Sequence, residues 1–180
     1  NRIALVKKWG LPKLAEAGEI ALPAYIIAPQ CPADVWWDAV IDRLEVTLDA
    51  VMRKYSIDPA RVYLTGFSMG GFGTCHWGLR RPDLFAALMP VGGSGFDFES
   101  DLTGFSLSTL KTLPMWVVHS AKDEAVPVTR ADQFVQGLQA VGANYGYTRY
   151  PDASHGESCD RAFRDMTILN WLLAQKREAS

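Results

Sequence analysis

The chain has 180 residues, a formal net charge of −2 and 48% hydrophobic residues. That length and apolar share suit one core, so a single domain over residues 1–180 is expected. The nearly balanced charge offers no basic footprint for nucleic acid. The longest uncharged run, Val62–Leu79, carries five glycines with Ser68, Thr74 and His76, which makes a poor membrane span.

Three cysteines, Cys31, Cys75 and Cys159, lack metal-type spacing, and their odd number leaves at least one unpaired within the chain. One disulfide stays open, and neither a metal nor a cofactor is expected. No signal-peptide pattern is visible. The start at Asn1 reads as a processed, cut or trimmed end, with export undecided.

In chain order, residues 1–19 suggest a short helix, a break at Gly10-Leu11-Pro12 and a second helical turn ending near Gly18. Ala24–Ala28 is a continuous apolar run stopped by Pro29, the pattern of a parallel strand buried on both faces. A loop with Gln30, Cys31, Pro32, Trp36 and Trp37 follows. From Trp37 the apolar residues Val40, Ile41, Leu44, Leu48, Val51, Met52 and Tyr55 form a helical stripe.

Val62–Leu64 predicts a strand, and Met69–Arg80 a buried helix ended by Arg81-Pro82. Gly71, Gly73 and Gly78 cost that helix roughly 1 kcal/mol each against alanine, which makes sense if it packs very close to the sheet. Phe85–Val91 reads as another buried strand. Residues 96–113 show no firm periodicity and are expected to hold a short helix or a lid-like excursion. Met115–His119 predicts a strand, Thr129–Val141 a helix stopped at Gly142, Tyr145–Tyr150 the last strand and Asp160–Lys176 the closing helix. Strands alternating with helices predict an α/β fold with a mainly parallel sheet flanked by helices.

Between the strand at 62–64 and its helix lies Gly66-Phe67-Ser68-Met69-Gly70, a G-x-S-x-G nucleophile elbow in its strand–turn–helix setting. The expectation is that a side chain at Gly66 or Gly70 would clash with the strained turn that lifts Ser68. Functional groups in parallel sheets gather at the carboxyl ends of strands. Asp123 and Glu124 follow the strand at 115–119, and His155 follows the strand at 145–150. In the order Ser68, Asp123, His155, the histidine would take the serine proton, the aspartate would orient the imidazole, and the Met69 backbone N–H would donate to an oxyanion. Asp97, Glu99 and Asp101 are alternative positions for the acid. His119 and His76 read as packed or hydrogen-bonded histidines, Glu124 as pointing elsewhere, and Lys122 and Glu157 as solvated.

The segments Ala28–Pro32, Trp36-Trp37, Asp58–Thr74, His119–Pro127 and Tyr150–Gly156, in this joint order, resemble α/β-hydrolases of the phospholipase/carboxylesterase and feruloyl-esterase-like group, including the "predicted peptidase" esterases. The resemblance implies a serine esterase acting through an acyl-enzyme on short-chain or aryl esters, feruloyl or acetyl groups on polysaccharide included. A peptidase, a lysophospholipase, or an inactive fragment or binding protein of this fold are the alternatives. Gln30, Trp36 and Trp37 are candidates for the substrate pocket, unless the tryptophans merely cap the core. A secreted or periplasmic location is slightly favoured by the resemblance alone. Ser120 and Ser154 stand where the group usually has glycine, and a positive φ at Ser154 would be slightly strained.

These hydrolases also carry strands upstream of the segment matching Asn1, with a loop that gives the second oxyanion N–H. The chain therefore reads as the C-terminal portion of such a domain. An upstream segment or another chain is expected to complete the sheet between residues 24–28 and 61–66.

Overall fold

Four runs pair side by side into one parallel sheet: β1 (Tyr63–Phe67), β2 (Ala87–Val91), β3 (Met115–Ser120) and β4 (Tyr145–Tyr150), in the order β1-β2-β3-β4. The computed structural model describes residues 3–95 and 107–178. Seven helices connect and cover the strands: α1 (Gly10–Glu16), α2 (Ile41–Lys54), α3 (Met69–Arg80), α4 (Leu107–Thr112), α5 (Val128–Ala140), α6 (His155–Arg164) and α7 (Met166–Ala174). Single 3-10 segments, Ile3–Lys7 and Trp37–Val40, precede α1 and α2. No helix among the described residues is long and apolar enough to cross a membrane.

Side-chain alternation along the buried strands divides the core into two layers. Leu88, Met115 and Val117 turn to one face, against Ile41 and Leu48 of α2, Trp77 and Leu79 of α3, and Ala131, Val135 and Leu138 of α5. Ala87, Met89, Val91 and Val118 turn to the other, against Leu14 of α1, Cys159 and Phe163 of α6, and Ile168, Leu169 and Leu172 of α7. Each fully buried Leu or Phe contributes about 1.5–3 kcal/mol. Pro90 lies inside β2, which is buried throughout, and the β2–β3 register pairs run from Leu88–Met115 to Val91–Val118 around it. Proline cannot donate to a ladder, which explains the interruption.

The sequence expectations hold for the order of strands 62–64, 85–91, 115–119 and 145–150 and for the helices between them, the first strand running on to Phe67. Three need correction. Ala24–Ala28 belongs to no strand, with Tyr25, Ile26 and Ile27 exposed at 61%, 39% and 40%. A parallel strand exists only through a neighbour, and β1 lies across a groove of about 1050 Å³ that Tyr25, Ile26 and Ile27 also line. The closing helix is two: Asp165 leaves the helical region (φ −77°, ψ 99°), and its carboxylate caps α7 by accepting the Thr167 N–H at 2.9 Å. Its start also lies earlier, at His155. Near the N-terminus the break falls before Gly10, and Pro12 sits in the first turn of α1, where a missing N–H loses nothing.

Alternation also fixes which backbone groups of β1 face inward. The Val62 carbonyl accepts from Ala86 and the Ser68 N–H donates to Val91, both on the β2 side. The intervening Tyr63, Thr65 and Phe67 therefore turn their peptide groups away from β2, toward the groove. Among the described residues, no strand lies on that side.

Close approach of α3 to the sheet accounts for two of its glycines. A Cβ on Gly71 would lie 2.2 Å from the Gly93 carbonyl oxygen and 2.9 Å from that of Val91, and one on Gly78 would lie 2.3 Å from buried Leu88. Gly73 answers to a different neighbour, the Trp37 ring, at 2.7 Å. On an exposed helix, glycine to alanine gains up to about 1 kcal/mol. Here Gly71→Ala is expected to destabilise by about 1–3 kcal/mol through overpacking against backbone, read as a lower urea midpoint. A midpoint unchanged or raised would mean that α3 can stand off from β2.

Candidate active site

The turn from β1 into α3 holds Ser68 at φ 56° and ψ −117°, a conformation rare for a residue with a Cβ. Its neighbours enforce it. A Cβ on Gly66 would stand 2.1 Å from the Gly70 carbonyl oxygen, and one on Gly93 would stand 2.3 Å from that of Ser68. Gly70 itself has open space where a Cβ would be, so the expected clash there does not exist. The Gly92-Gly93 loop after β2 instead presses on the elbow from the far side. The Ser68 carbonyl accepts from Gly71 and Phe72, which anchors the serine to the first turn of α3. Met69 opens that helix, so its N–H belongs to the positive end of the helix dipole.

Ser68 Oγ lies 2.8 Å from His155 Nε2, and His155 Nδ1 lies 2.6 Å from Asp123 Oδ2. An ionised carboxylate only accepts, so Nδ1 carries the hydrogen and Nε2 is left to accept from the serine hydroxyl. The Asp123 side chain is fully buried, while 13% of the His155 side chain is exposed. The second carboxylate oxygen, Oδ1, accepts the N–H groups of Ala125 (2.9 Å) and Val126 (2.7 Å), which fixes the carboxylate plane. The Phe67 ring packs against the imidazole at 4.6 Å, and Trp9 packs on Phe67 at 5.5 Å.

His155 is the first residue of α6, and a capping box sets it there. The Ser154 N–H donates to Glu157 Oε2 at 2.7 Å, and the Glu157 N–H donates to Ser154 Oγ at 3.4 Å. That contact holds the Glu157 carboxyl below its usual range. Ser154 has φ −70°, so the expected strain is absent and the serine suits its place as the N-cap. Glu124 also departs from expectation: its Oε2 accepts the His155 backbone N–H at 3.0 Å and ties the acid-bearing loop to α6.

The structure thus brings Ser68, Asp123, His155 and the Met69 N–H together. Asp97, Glu99 and Asp101 lie outside the described residues. Trp37 joins Trp9, Phe67, Met69 and Gly70 around a hollow of about 420 Å³ over Ser68 and His155. Trp36 packs edge-on against Phe72 at 6.4 Å and is absent from that lining, while Gln30 lines the groove along β1. Sequence reasoning missed Trp9, Phe67, Glu124 and Gly93. Only the serine-x-x-glutamate signature at Ser154–Glu157 was available as a local signal, marking the helix start at His155.

The cysteines do not compete with Ser68. All three are free, and burial pushes the Cys75 and Cys159 thiols up to about 12. Burial, with Asp38 nearby, also raises that of Cys31.

Comparison with known proteins bears on the same region. A bifunctional acetylxylan esterase/xylanase of Neocallimastix patriciarum, XynS20E, is 30% identical over 92 residues, 51% of this chain and 13% of that protein. An uncharacterized peptidase of Bacillus subtilis, YuxL, is 27% identical over 144 residues, 65% of this chain and 22% of that protein. Among solved structures, a thermostable esterase superposes with a TM-score of 0.72 at 27% identity, covering 83% of this chain and 43% of the other. The chain spans less than half the length of each of these relatives. The sequence pattern of the phospholipase/carboxylesterase family matches residues 37–169, which take in the sheet, the elbow and the two loops that meet it. On that match, the chain belongs to the phospholipase/carboxylesterase family of α/β-hydrolases.

Proposed function

We propose that this protein is a serine carboxylic-ester hydrolase that works through an acyl-enzyme at Ser68. The continuous run of contacts from Ser68 Oγ through the His155 ring to Asp123, at 2.8 and 2.6 Å, carries this reading. As Oγ attacks the ester carbonyl carbon, its proton passes to His155 Nε2. Asp123 faces the imidazolium that forms, and the Met69 N–H donates to the oxyanion. Collapse breaks the carbon–oxygen bond of the ester, and His155 protonates the departing alkoxide. Water then gives a proton to His155 as its oxygen attacks the acyl-serine, which releases the acid and restores Ser68.

The hollow over Ser68 suits a short or flat acyl group, with Trp9 and Trp37 as apolar walls. Short-chain and aryl esters of the acetyl or feruloyl kind fit this lining. The similarity to a peptidase favours peptide bonds as a second reading.

Among the described residues the Met69 N–H supplies half of the oxyanion site, and the β1 edge accounts for the remainder. A parallel strand from outside residues 1–180, upstream in the same polypeptide or in a second chain, fills the groove and leads into a loop with the second N–H. Tyr63, Thr65 and Phe67 turn backbone groups toward this largely apolar groove, where an unpaired peptide is costly.

Ser68→Ala is expected to lower kcat for p-nitrophenyl acetate at least ~10³-fold, and near-normal turnover would remove Ser68 from the reaction. Assayed in parallel, p-nitrophenyl acetate and methyl ferulate should turn over faster than an aminoacyl anilide; the reverse order would select the peptidase reading. Trp9→Ala and Trp37→Ala should raise KM roughly tenfold for methyl ferulate, the size expected for loss of apolar contact, and less for p-nitrophenyl acetate. Hydrogen exchange at Tyr63, Thr65 and Phe67 should be fast in residues 1–180 alone and slow once the chain is extended upstream. Slow exchange in the short chain would show that the edge is already covered.

A further inference from the structure

We infer that His119 is a positioning residue that acts on Asp123, and through it sets how strongly His155 holds its proton. This rests on the hydrolase reading above. His119 lies near the end of β3, four residues before Asp123, and both side chains are fully buried. Its Nε2 is 2.9 Å from the Val126 carbonyl oxygen and 3.2 Å from Asp123 Oδ2. A carbonyl only accepts, so Nε2 carries a hydrogen, which it gives to Val126 while the same ring nitrogen lies beside the Asp123 oxygen as a close polar contact.

Asp123 therefore accepts three N–H hydrogen bonds and has a fourth ring nitrogen beside it. Ala125 and Val126 serve Oδ1, while His155 Nδ1 and His119 Nε2 converge on Oδ2. Both histidine nitrogens lie beside one oxygen, His155 as its hydrogen-bond donor and His119 as a dipole next to it. His119 limits rotation of the carboxylate and draws on the same negative charge that His155 faces. His119 Nδ1, in turn, is buried without a hydrogen-bond partner among the described residues. A leucine or valine, such as those that fill the neighbouring core, would avoid that desolvation cost. What Nε2 does for Val126 and Asp123 offsets that cost.

Other charged groups around this point are accounted for. β2 carries none. The register partner of His119 on β4 is Arg149, which reaches Asp132 of α5 at 3.3 Å, and Tyr147 donates to the same carboxylate at 2.6 Å. α5 also brings Arg130, which has interactions of its own. The acid loop adds Lys122 and Glu124, with Glu124 bound to the His155 N–H. From α6 only His155 contacts the carboxylate.

The sign follows from the shared oxygen. Without the His119 N–H, more of the Oδ2 charge faces the imidazolium, and His155 gives up its proton less readily. The acid limb of the kcat/KM profile then moves to higher pH. The test compares His119→Phe, which keeps the bulk and removes the donor, with His119→Gln, whose amide nitrogen reaches the Nε2 position. His119→Asn, whose amide falls short, supplies the donor-free comparison if the Phe variant does not fold.

With p-nitrophenyl acetate, the donor-free variant should lose about tenfold in kcat at nearly constant KM, and its acid limb should rise by roughly half to one pH unit. His119→Gln should restore most of both. A folded donor-free variant with unchanged kcat and limb, or a Gln variant as impaired as Phe, would overturn the assignment. Ser68→Ala, run alongside, separates the two readings. If it stays active, the hydrolase mechanism fails; if it is inactive while His119 variants behave as the parent, only the role of His119 fails.

Discussion

Backbone pressed against backbone at the start of α3 is the constraint on which the rest of the molecule depends. Gly66, Gly71 and Gly93 have no room for a Cβ, because the peptides of Gly70, Val91, Gly93 and Ser68 already occupy that space. Only with those approaches does the chain leave β1 at the angle that holds Ser68 at positive φ. Strain of this kind costs of order 1–3 kcal/mol and persists where the surroundings over-determine it. Here the buried β2, the Gly92-Gly93 loop and a tightly seated α3 supply that surplus.

From this fixed point the other groups need only be delivered by neighbouring strand ends. Asp123 follows β3, His155 follows β4, and both loops are tied down independently of the serine. Ala125 and Val126 hold the carboxylate, Glu124 holds the His155 peptide, and the Ser154–Glu157 box starts α6 at the imidazole. Rigid placement by several bonds is what allows a serine, histidine and aspartate to meet at hydrogen-bond distance without substrate.

Much of this was legible in the sequence because it depends on local pattern. Buried strands read as apolar runs, helices as stripes, and the parallel sheet then says which loops share an end; hence Ser68, Asp123 and His155. What could not be read depends on partners. Ala24–Ala28 has the composition of a buried strand, but composition does not supply the neighbour that makes one. Trp9 is remote in sequence from Phe67 and meets it only through the seating of α1 against α6, where Gly10 approaches the Phe163 ring. Glu124 reads in the sequence as pointing elsewhere on the loop; the tight turn held by Asp123 Oδ1 instead brings its carboxylate to the His155 N–H, a partner that sequence spacing does not reveal.

The open side of β1 also bears on how such a chain survives its own synthesis. An edge of outward-turned peptides flanked by exposed Tyr25, Ile26 and Ile27 is a template on which strands of other molecules can grow. The defences usual on natural edges, a lysine pointing across or a proline in the strand, are missing from Tyr63–Phe67. Glycine at 66, required by the elbow, further loosens the hold of this strand on its own pleat. The geometry that lifts the serine therefore also makes this edge the point at which crowded copies of the chain adhere to one another.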